Sequence, residues 1–433
     1  MDITSYSSRE FMNFKKIFRD LKIKHINSNY SKILQKLSKK VKNNEKIKIV
    51  FINCEASKWA YQYIYEKFAN DKRFEVEVLI SVFDMLRSKK YAYLNIEKKA
   101  QENYDFFKKQ GINVEYAYDF KKNKCIDLRQ FSPDIIFYDE PQSVSKLQSP
   151  AVASKFALTM HCNYGSAITN GDNEKSKIYE ELFTYFVDNE FIKKYLTDCG
   201  FSPKKIYVAG QPKIDAYLKP VNYENKLWKT DKKHIIIAHH FSFSENTELR
   251  FGTFDWNYQF FYDYAKNHPE YEFILKPHPS LKREIIKRGL MNQKEAENYF
   301  KNWNKLENAN VYESGNYLDM FRTSDLLITD CNSFLFEYLP SKNPVIQLIS
   351  SKTKGHNEFG KKIIEGYYKA HNIVEIEEYL EKLLSKNDDD LLKTRENIIK
   401  NVLKLTDIGT SGIIYNYVNN IINNKQNENL KGS

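Results

Sequence analysis

From residue 46 onward the chain sets short apolar runs between amphipathic stretches. "KIKIVFINC" (46–54) reads as a buried strand and "KWAYQYIYEKFAND" as the helix after it. "FEVEVLIS" (74–81), a helix over about 92–110, "INVEYAY" (112–118), "PDIIFYDEP" (133–141), "SKFALTMHC" (154–162), "TYFVDN" (184–189) and "KKIYVAG" (204–210) continue the series. A polar stretch, "PKIDAYLKPVNYENKLWKTDKK" (212–233), interrupts it. The alternation then restarts with "HIIIAHH" (234–240), a helix near 256–267, "YEFILKPHP" (271–279), a helix over 281–301, "ANVYESG" (309–315), "DLLITD" (325–330), a further helix and "PVIQLIS" (344–350). Strands alternating with helices predict parallel sheets covered on both faces. Two such halves predict an α/β protein with two Rossmann-like domains facing a central cleft, where ligands sit at the carboxyl ends of strands.

The 433 residues suit two domains of common size. The expected boundaries are a basic helical arm over 1–46, a first Rossmann-like, acceptor-side domain over 47–215, a second, nucleotide-donor domain over 216–400, and a helical tail over 401–433. The formal charge is +11, yet residues 1–46 alone hold twelve Lys/Arg against four Asp/Glu. The excess lies on the arm and not on a nucleic-acid-binding face. In "REFMNFKKIFRDLKIK", Phe11, Phe14, Ile17, Phe18 and Leu21 recur at helical spacing among Lys15, Lys16, Arg19 and Lys22. That pattern fits a helix on an anionic membrane surface. It equally fits a helix packed on the globule with its lysines in water. Five scattered cysteines with no C-x-x-C spacing argue against a zinc site or a disulfide framework. No apolar run reaches the roughly 18–20 residues that span a bilayer, and no secretory signal opens the chain. The expected location is the cytoplasm, with the arm offering a peripheral contact to the inner face of the cytoplasmic membrane.

Four polar clusters end predicted strands. In "DLLITDCNSFLFEYLPSKNPVIQL" (325–348), Asp330 closes a strand and Asn332 or Ser333 falls where an N-cap belongs. The remaining free N–H groups there suit an anion. Glu337 lies one turn further along the same face as Ser333, where a carboxylate can accept from ribose hydroxyls; a solvated surface glutamate is the plain alternative. In "FILKPHPS", Pro277 and Pro279 restrict the backbone around His278. Lys276 and His278 share one side of an extended strand and can meet one phosphate. "ALTMHCNYGS" places His161 at a first-half strand end before Gly165. "IIIAHHFSFS" supplies His239 and His240, of which an extended backbone aims only one at a cleft, then Ser242 and Ser244. "GHNEFGK" (355–361) is a turn carrying His356 and Glu358. No acidic residue at fixed spacing accompanies the histidines, so no metal site is expected. The chain has neither G-x-x-x-x-G-K-[ST] nor G-x-G-x-x-G, which disfavours an ordinary NTPase and a dinucleotide oxidoreductase.

"SDLLITDCNSFLFEYLPSKNPVIQL" together with "ILKPHP" resembles the CDP-glycerol glycerophosphotransferase family, which includes teichoic-acid primases and polymerases. "VAGQPKIDAYL" is similar to its Gly-x-Pro-x-x-Asp segment. "KWAYQYIYEKF", "IIFYDEPQ" and "FALTMHCNYG" resemble first domains encoded with capsule or lipopolysaccharide genes in Gram-negative bacteria. The resemblance runs over about 48–400 and implies the GT-B architecture and transfer of glycerol phosphate from CDP-glycerol to a hydroxyl, releasing CMP. It implies His161 as general base and His278 at the donor phosphates. It also implies Asp330, Asn332 and Ser333 at the pyrophosphate and Glu337 at the ribose. The first of these motifs reads His-Cys-Asn-Tyr-Gly here, and Asn332 stands in place of the family's first serine.

The expectation is therefore a transferase moving glycerol phosphate, or a related phospho-group, from a CDP-activated donor to a glycan or lipid-linked glycan of a capsule, lipopolysaccharide or teichoic-acid-like polymer. Lys276, His239 and His240 join the donor-binding set, and no cofactor is expected beyond the donor itself. A nucleotide-sugar glycosyltransferase on the same scaffold is the first alternative. A non-catalytic membrane- or polymer-binding protein is the second.

Overall fold

The computed structural model describes residues 3–83, 95–165, 168–169, 176–221, 227–243, 250–313, 317–353, 355–403 and 405–423, with side chains from 17 on. Ser244 and the side chains of Phe11, Phe14, Lys15 and Lys16 lie outside the described residues. The chain forms two compact units. The first comprises 1–165, 171–213 and 408–433; the second comprises 166–170 and 214–407.

The first unit holds a seven-stranded parallel sheet ordered β3-β2-β1-β6-β7-β8-β9. Its strands are β1 Ile47–Asn53, β2 Phe74–Ile80, β3 Val114–Tyr116, β6 Ile135–Tyr138, β7 Leu158–Cys162, β8 Thr184–Val187 and β9 Ile206–Val208. A small antiparallel pair, β4 Tyr118–Asp119 and β5 Lys124–Cys125, lies outside the predicted series. β1 is buried along almost its whole length, because helices cover both faces of a parallel sheet. Among them are α1 Ile3–Lys42, α2 Gln62–Ala69 and α3 Ile96–Lys109.

The helix α1 is not a separate arm. Its residues Ile26, Tyr30, Ile33 and Leu37 join the same core as β1 and β6. Tyr30 hydrogen-bonds Thr159 of β7 at 2.5 Å, and Lys40 pairs with the buried Asp134 at 2.6 Å. The terminal helix Gly409–Ile422 enters that core too, through Ile414, Val418 and Ile422. Both chain ends therefore belong to the first unit.

The second unit holds a six-stranded parallel sheet ordered β12-β11-β10-β13-β14-β15. Its strands are β10 Lys233–Ala238, β11 Tyr271–Leu275, β12 Ala309–Val311, β13 Leu326–Thr329, β14 Val345–Leu348 and β15 Tyr368–Ala370. β15 was not foreseen in the sequence, being three residues long and half exposed in the middle. The helix expected over 281–301 is two helices, Leu281–Lys287 and Gln293–Trp303. Gly289 adopts φ +72 between them, a conformation open to glycine. Asn292 then restarts the coil with a capping box: its side chain accepts from Glu295 N at 2.9 Å, and Glu295 accepts from Asn292 N at 2.8 Å.

In each sheet one central pair marks where the strand order reverses. The pair is β1 and β6 in the first unit, β10 and β13 in the second. Such switch points open a crevice at the carboxyl ends of the strands.

Candidate active site

In the second unit, β10 ends in His239 and His240, β11 in Lys276-Pro277-His278, and β13 in Asp330. Backbone pairing of β10 with β11 outlasts the regular strands, since Lys276 N donates to Ile237 O (2.8 Å) and His278 N to His239 O (3.0 Å). This register brings the His240 and His278 rings to 5.0 Å.

The two histidines of β10 point to opposite sides, as an extended backbone requires. His239 turns inward under the helix Phe254–Asn267, donating from Nε2 to Asn257 Oδ1 at 2.8 Å among Phe254 and Phe261. Burial lowers its pKa to about 4. It faces the core, so His239, expected with His240 in the donor set, is not part of the polar strand-end cluster. The Nδ1 of His240 accepts from Ser242 N (3.3 Å) and bonds Ser242 Oγ (2.7 Å). Burial, then the neighbouring His278, lowers its pKa to about 3. The Nδ1 of His278 likewise accepts, from Ser280 N at 3.0 Å. A nitrogen that accepts carries no proton, so the neutral His240 ring holds its hydrogen on Nε2.

Lys276 is 7% exposed. Its ammonium lies 5.9 Å from the Tyr312 ring centre and 5.8 Å from that of Tyr317. Among the described residues no carboxylate lies within the 4.0 Å of an ion pair. Burial lowers its pKa, while Cys331 and Glu313 act in the opposite sense. A buried ammonium in such surroundings needs an anion.

Asp330 is used differently from the sequence expectation. It is buried, and Oδ1 accepts from His240 N at 2.6 Å. Oδ2 accepts from Thr253 N (2.7 Å) and Thr253 Oγ1 (2.9 Å). Both oxygens are thus spent on the protein, and the carboxylate ties the 240–253 loop to β13 rather than reaching outward. The loop is packed tightly there: a Cβ on Gly252 would stand 2.6 Å from Phe243 N. Burial raises the Asp330 pKa to about 7.

The helix after β13 runs Asn332–Tyr338 and its N-cap is Cys331, with no side-chain cap bond. The expected cap by Asn332 or Ser333 is not made. Thr329 Oγ1 accepts from Cys331 N at 2.9 Å, which turns the chain into the helix one residue early. Ser333 Oγ lies 3.3 Å from Cys331 Sγ, and Asn332 Nδ2 is buried without a hydrogen-bond partner. Glu337 is not a solvated surface carboxylate. It is buried, and Oε2 accepts from the Tyr317 hydroxyl at 2.6 Å. The side chains of Tyr312, Tyr317 and Thr253 were missed in the sequence, where nothing in their spacing marks them, whereas Ser242 was named beside the two histidines.

In the first unit, His161 is buried at the end of β7. It donates from Nδ1 to Tyr138 O at 2.8 Å, and Nε2 faces Asn163 Oδ1 at 3.0 Å. The Tyr179 ring stacks on the imidazole at 5.2 Å. Burial lowers the His161 pKa to about 4, so the ring is neutral with its lone pair on Nε2. An Asn163 amide turned to present its NH2 completes that contact.

Two units, each with a parallel sheet and a polar cluster at its strand ends, define a GT-B-like α/β architecture. The chain belongs to the family described as CDP-Glycerol:Poly(glycerophosphate) glycerophosphotransferase, whose model matches residues 17–420. No curated protein matches it. Solved structures share the fold at low identity. UDP-GlcNAc 2-epimerase from Neisseria meningitidis bound to UDP-GlcNAc gives a TM-score of 0.54 at 14% identity, over 87% of this chain and 100% of that one. MnaA of S. aureus in its UDP co-structure gives 0.53 at 13%, over 89% and 97%. UDP-GlcNAc 2-epimerase from Methanocaldococcus jannaschii gives 0.51 at 13%, over 86% and 99%.

Proposed function

We infer that the protein transfers glycerol phosphate, or a related phospho-group, from a CDP-activated donor to a hydroxyl of a surface glycan, releasing CMP. The observation that carries this reading is Lys276, a buried ammonium with no carboxylate in ion-pair reach among the described residues, just past the end of β11 with His278. The Nε2–H of His240 supplies a further donor for phosphate oxygens, and the His278 ring stands 5.0 Å from it. Family membership supports the same chemistry.

In the transfer, the acceptor oxygen forms a bond to the donor's outer phosphorus. The bond from that phosphorus to the bridging oxygen breaks, and CMP leaves with the electron pair. His161 takes the hydroxyl proton on Nε2 once Asn163 gives way. A base with a pKa near 4 accepts that proton late, after O–P bonding has acidified the oxygen. Asp330 acts through the loop it holds, and Asn332 and Ser333 present helix-start amides to the diphosphate.

The test is CMP release from CDP-glycerol with a lipopolysaccharide or capsular glycan as acceptor. Loss of release in His278→Ala and His161→Ala supports the reading. Turnover of a UDP-hexose with no CDP donor accepted moves the protein to nucleotide-sugar glycosyl transfer. Thermal shifts by CMP and CDP against UDP separate the two at the level of binding.

A further inference from the structure

The first sheet has its own switch point, and the residues there have been given no role so far. A cavity of about 220 Å3 opens at the carboxyl ends of β1 and β2, lined in part by Glu55, Ser57, Ser81, Phe83 and Asn103. Beside it the Lys58 ammonium stands 2.8 Å from Glu140 Oε2, 3.5 Å from Glu55 and 4.9 Å from the Phe83 ring centre. Tyr164, 37% exposed, has its ring 5.5 Å from Lys58 Nζ and 5.8 Å from Lys213 Nζ. Asp139 lies behind and fixes the arrangement. It accepts from Asn53 Nδ2 (2.9 Å) and Cys54 N (3.1 Å) at the end of β1, and from Glu140 N (2.7 Å) at the end of β6. Asn103 holds the 54–56 turn, accepting from Ala56 N (2.9 Å) and donating to Cys54 O (3.0 Å).

We propose that this cavity, with Lys58, Glu140 and Tyr164 beside it, is a subsite for one polyol or monosaccharide unit of the acceptor. The proposal rests on the transferase reading above. Three features select the ligand class. Carboxylates and ammoniums alternate around the site, so it is not a cationic trap for phosphate; it suits hydroxyl groups, which donate to Glu140 and accept from Lys58. The exposed Tyr164 ring adds an apolar surface with a polar tip, which matches a sugar's mixed C–H and O–H faces. The volume is below the roughly 300–1,000 Å3 of pockets for larger ligands and fits a single small unit. The cavity lies at the carboxyl ends of β1 and β2, next to the β1/β6 switch point where Glu140 follows β6.

Saturation-transfer NMR on the full chain tests this with glycerol, ribitol and methyl α-D-glucopyranoside as probes. At least one probe receives saturation from the wild-type protein. Its signal falls threefold or more in Ser57→Phe, which fills the cavity from an exposed position, and in Glu140→Gln, which keeps the side chain's shape. The Kd for CMP stays within twofold in both variants, which shows that each is folded. No transfer to any probe, or transfer that survives both substitutions, overturns the subsite. Failure of CMP to bind the wild-type protein, with polyol transfer intact, overturns the donor reading instead and leaves this one standing.

Discussion

The rings of His240 and His278 meet edge to face, 5.0 Å apart at 63°, and each has its Nδ1 engaged as an acceptor. The pairing sets the two rings side by side at the carboxyl end of the sheet, and in His240 the occupied Nδ1 leaves the proton on Nε2. An imidazole-to-phosphate hydrogen bond falls in the range of about 1.5–3 kcal/mol for charged partners. His278→Ala is therefore expected to weaken CDP binding about tenfold or more. Ser242→Ala, which removes one of two groups holding the His240 tautomer, weakens it less. Isothermal titration with CDP measures both. Wild-type affinity in His278→Ala would remove this ring from the donor site.

Asp330 opposes the histidines beside it in its dependence on pH. His239 and His240 are held below the ordinary histidine value, at about 4 and about 3, whereas Asp330 is held above the carboxylate range at about 7. Between roughly pH 4 and 6.5 the unfolded chain binds two protons on these imidazoles that the folded unit refuses. In the same window folded Asp330 keeps a proton that the unfolded chain has lost. The balance is one proton, so acid destabilises the second unit by about 1.4 kcal/mol per pH unit. Above that window Asp330 acts alone, and stability falls as pH rises through about 7. Asp330→Asn removes the opposing contribution, and the loss of melting temperature from pH 6.5 towards pH 5 becomes roughly twice as steep. Equal slopes in the two proteins would show that the carboxylate is already ionised in the folded state.

Much of this architecture is legible in the sequence because parallel strands buried on both faces leave uninterrupted apolar runs. Runs such as "KIVFIN" and "LLITD" cannot be hidden: β1 and β13 stand within a residue or two of their expected places. The polar strand ends follow directly, which is why Lys276, His278, His161 and Asp330 could be named. Their destinations could not. Asp330 reaches Thr253 across 77 positions, and Glu140 reaches Lys58 across 82. No local period encodes such pairings. The break at Gly289 was hidden by a continuing helical pattern on either side, and the sequence left open whether α1 packs on the globule or lies on a membrane, since its lysines suit both.

Glu337 and Tyr317 form a buried pair whose partners lie 20 positions apart. Tyr317→Phe removes one hydroxyl donor to the carboxylate at almost unchanged volume. The expected cost is about 0.5–1.5 kcal/mol, the net worth of one hydrogen bond. Thermal denaturation of the variant reads this, and addition of CDP separates stability from binding. A melting temperature equal to that of the wild type would mean that water or another group reaches Glu337 in solution.

The two stretches of α1 call for separate tests, because one is core and the other is not. Ile26, Tyr30, Ile33 and Leu37 are buried in the first unit, whereas Ile17, Phe18 and Leu21 are 54%, 71% and 57% exposed. Arg19 and Lys22 next to them contact Glu180 and Glu181, so part of the local positive charge is already neutralised. Among the described residues no helix is long and apolar enough to cross a membrane. An exposed apolar trio in the first half of a lysine-rich helix fits shallow contact with an anionic lipid surface. Removing residues 1–46 cannot test this, since it also deletes four core side chains; Leu37→Ala alone is expected to cost about 2–5 kcal/mol. Replacing Ile17, Phe18 and Leu21 together by serine leaves the melting temperature unchanged and reduces sedimentation with phosphatidylglycerol vesicles severalfold. If the triple variant sediments as the wild type does, the trio is not a membrane contact, and the basic residues of α1 act without it.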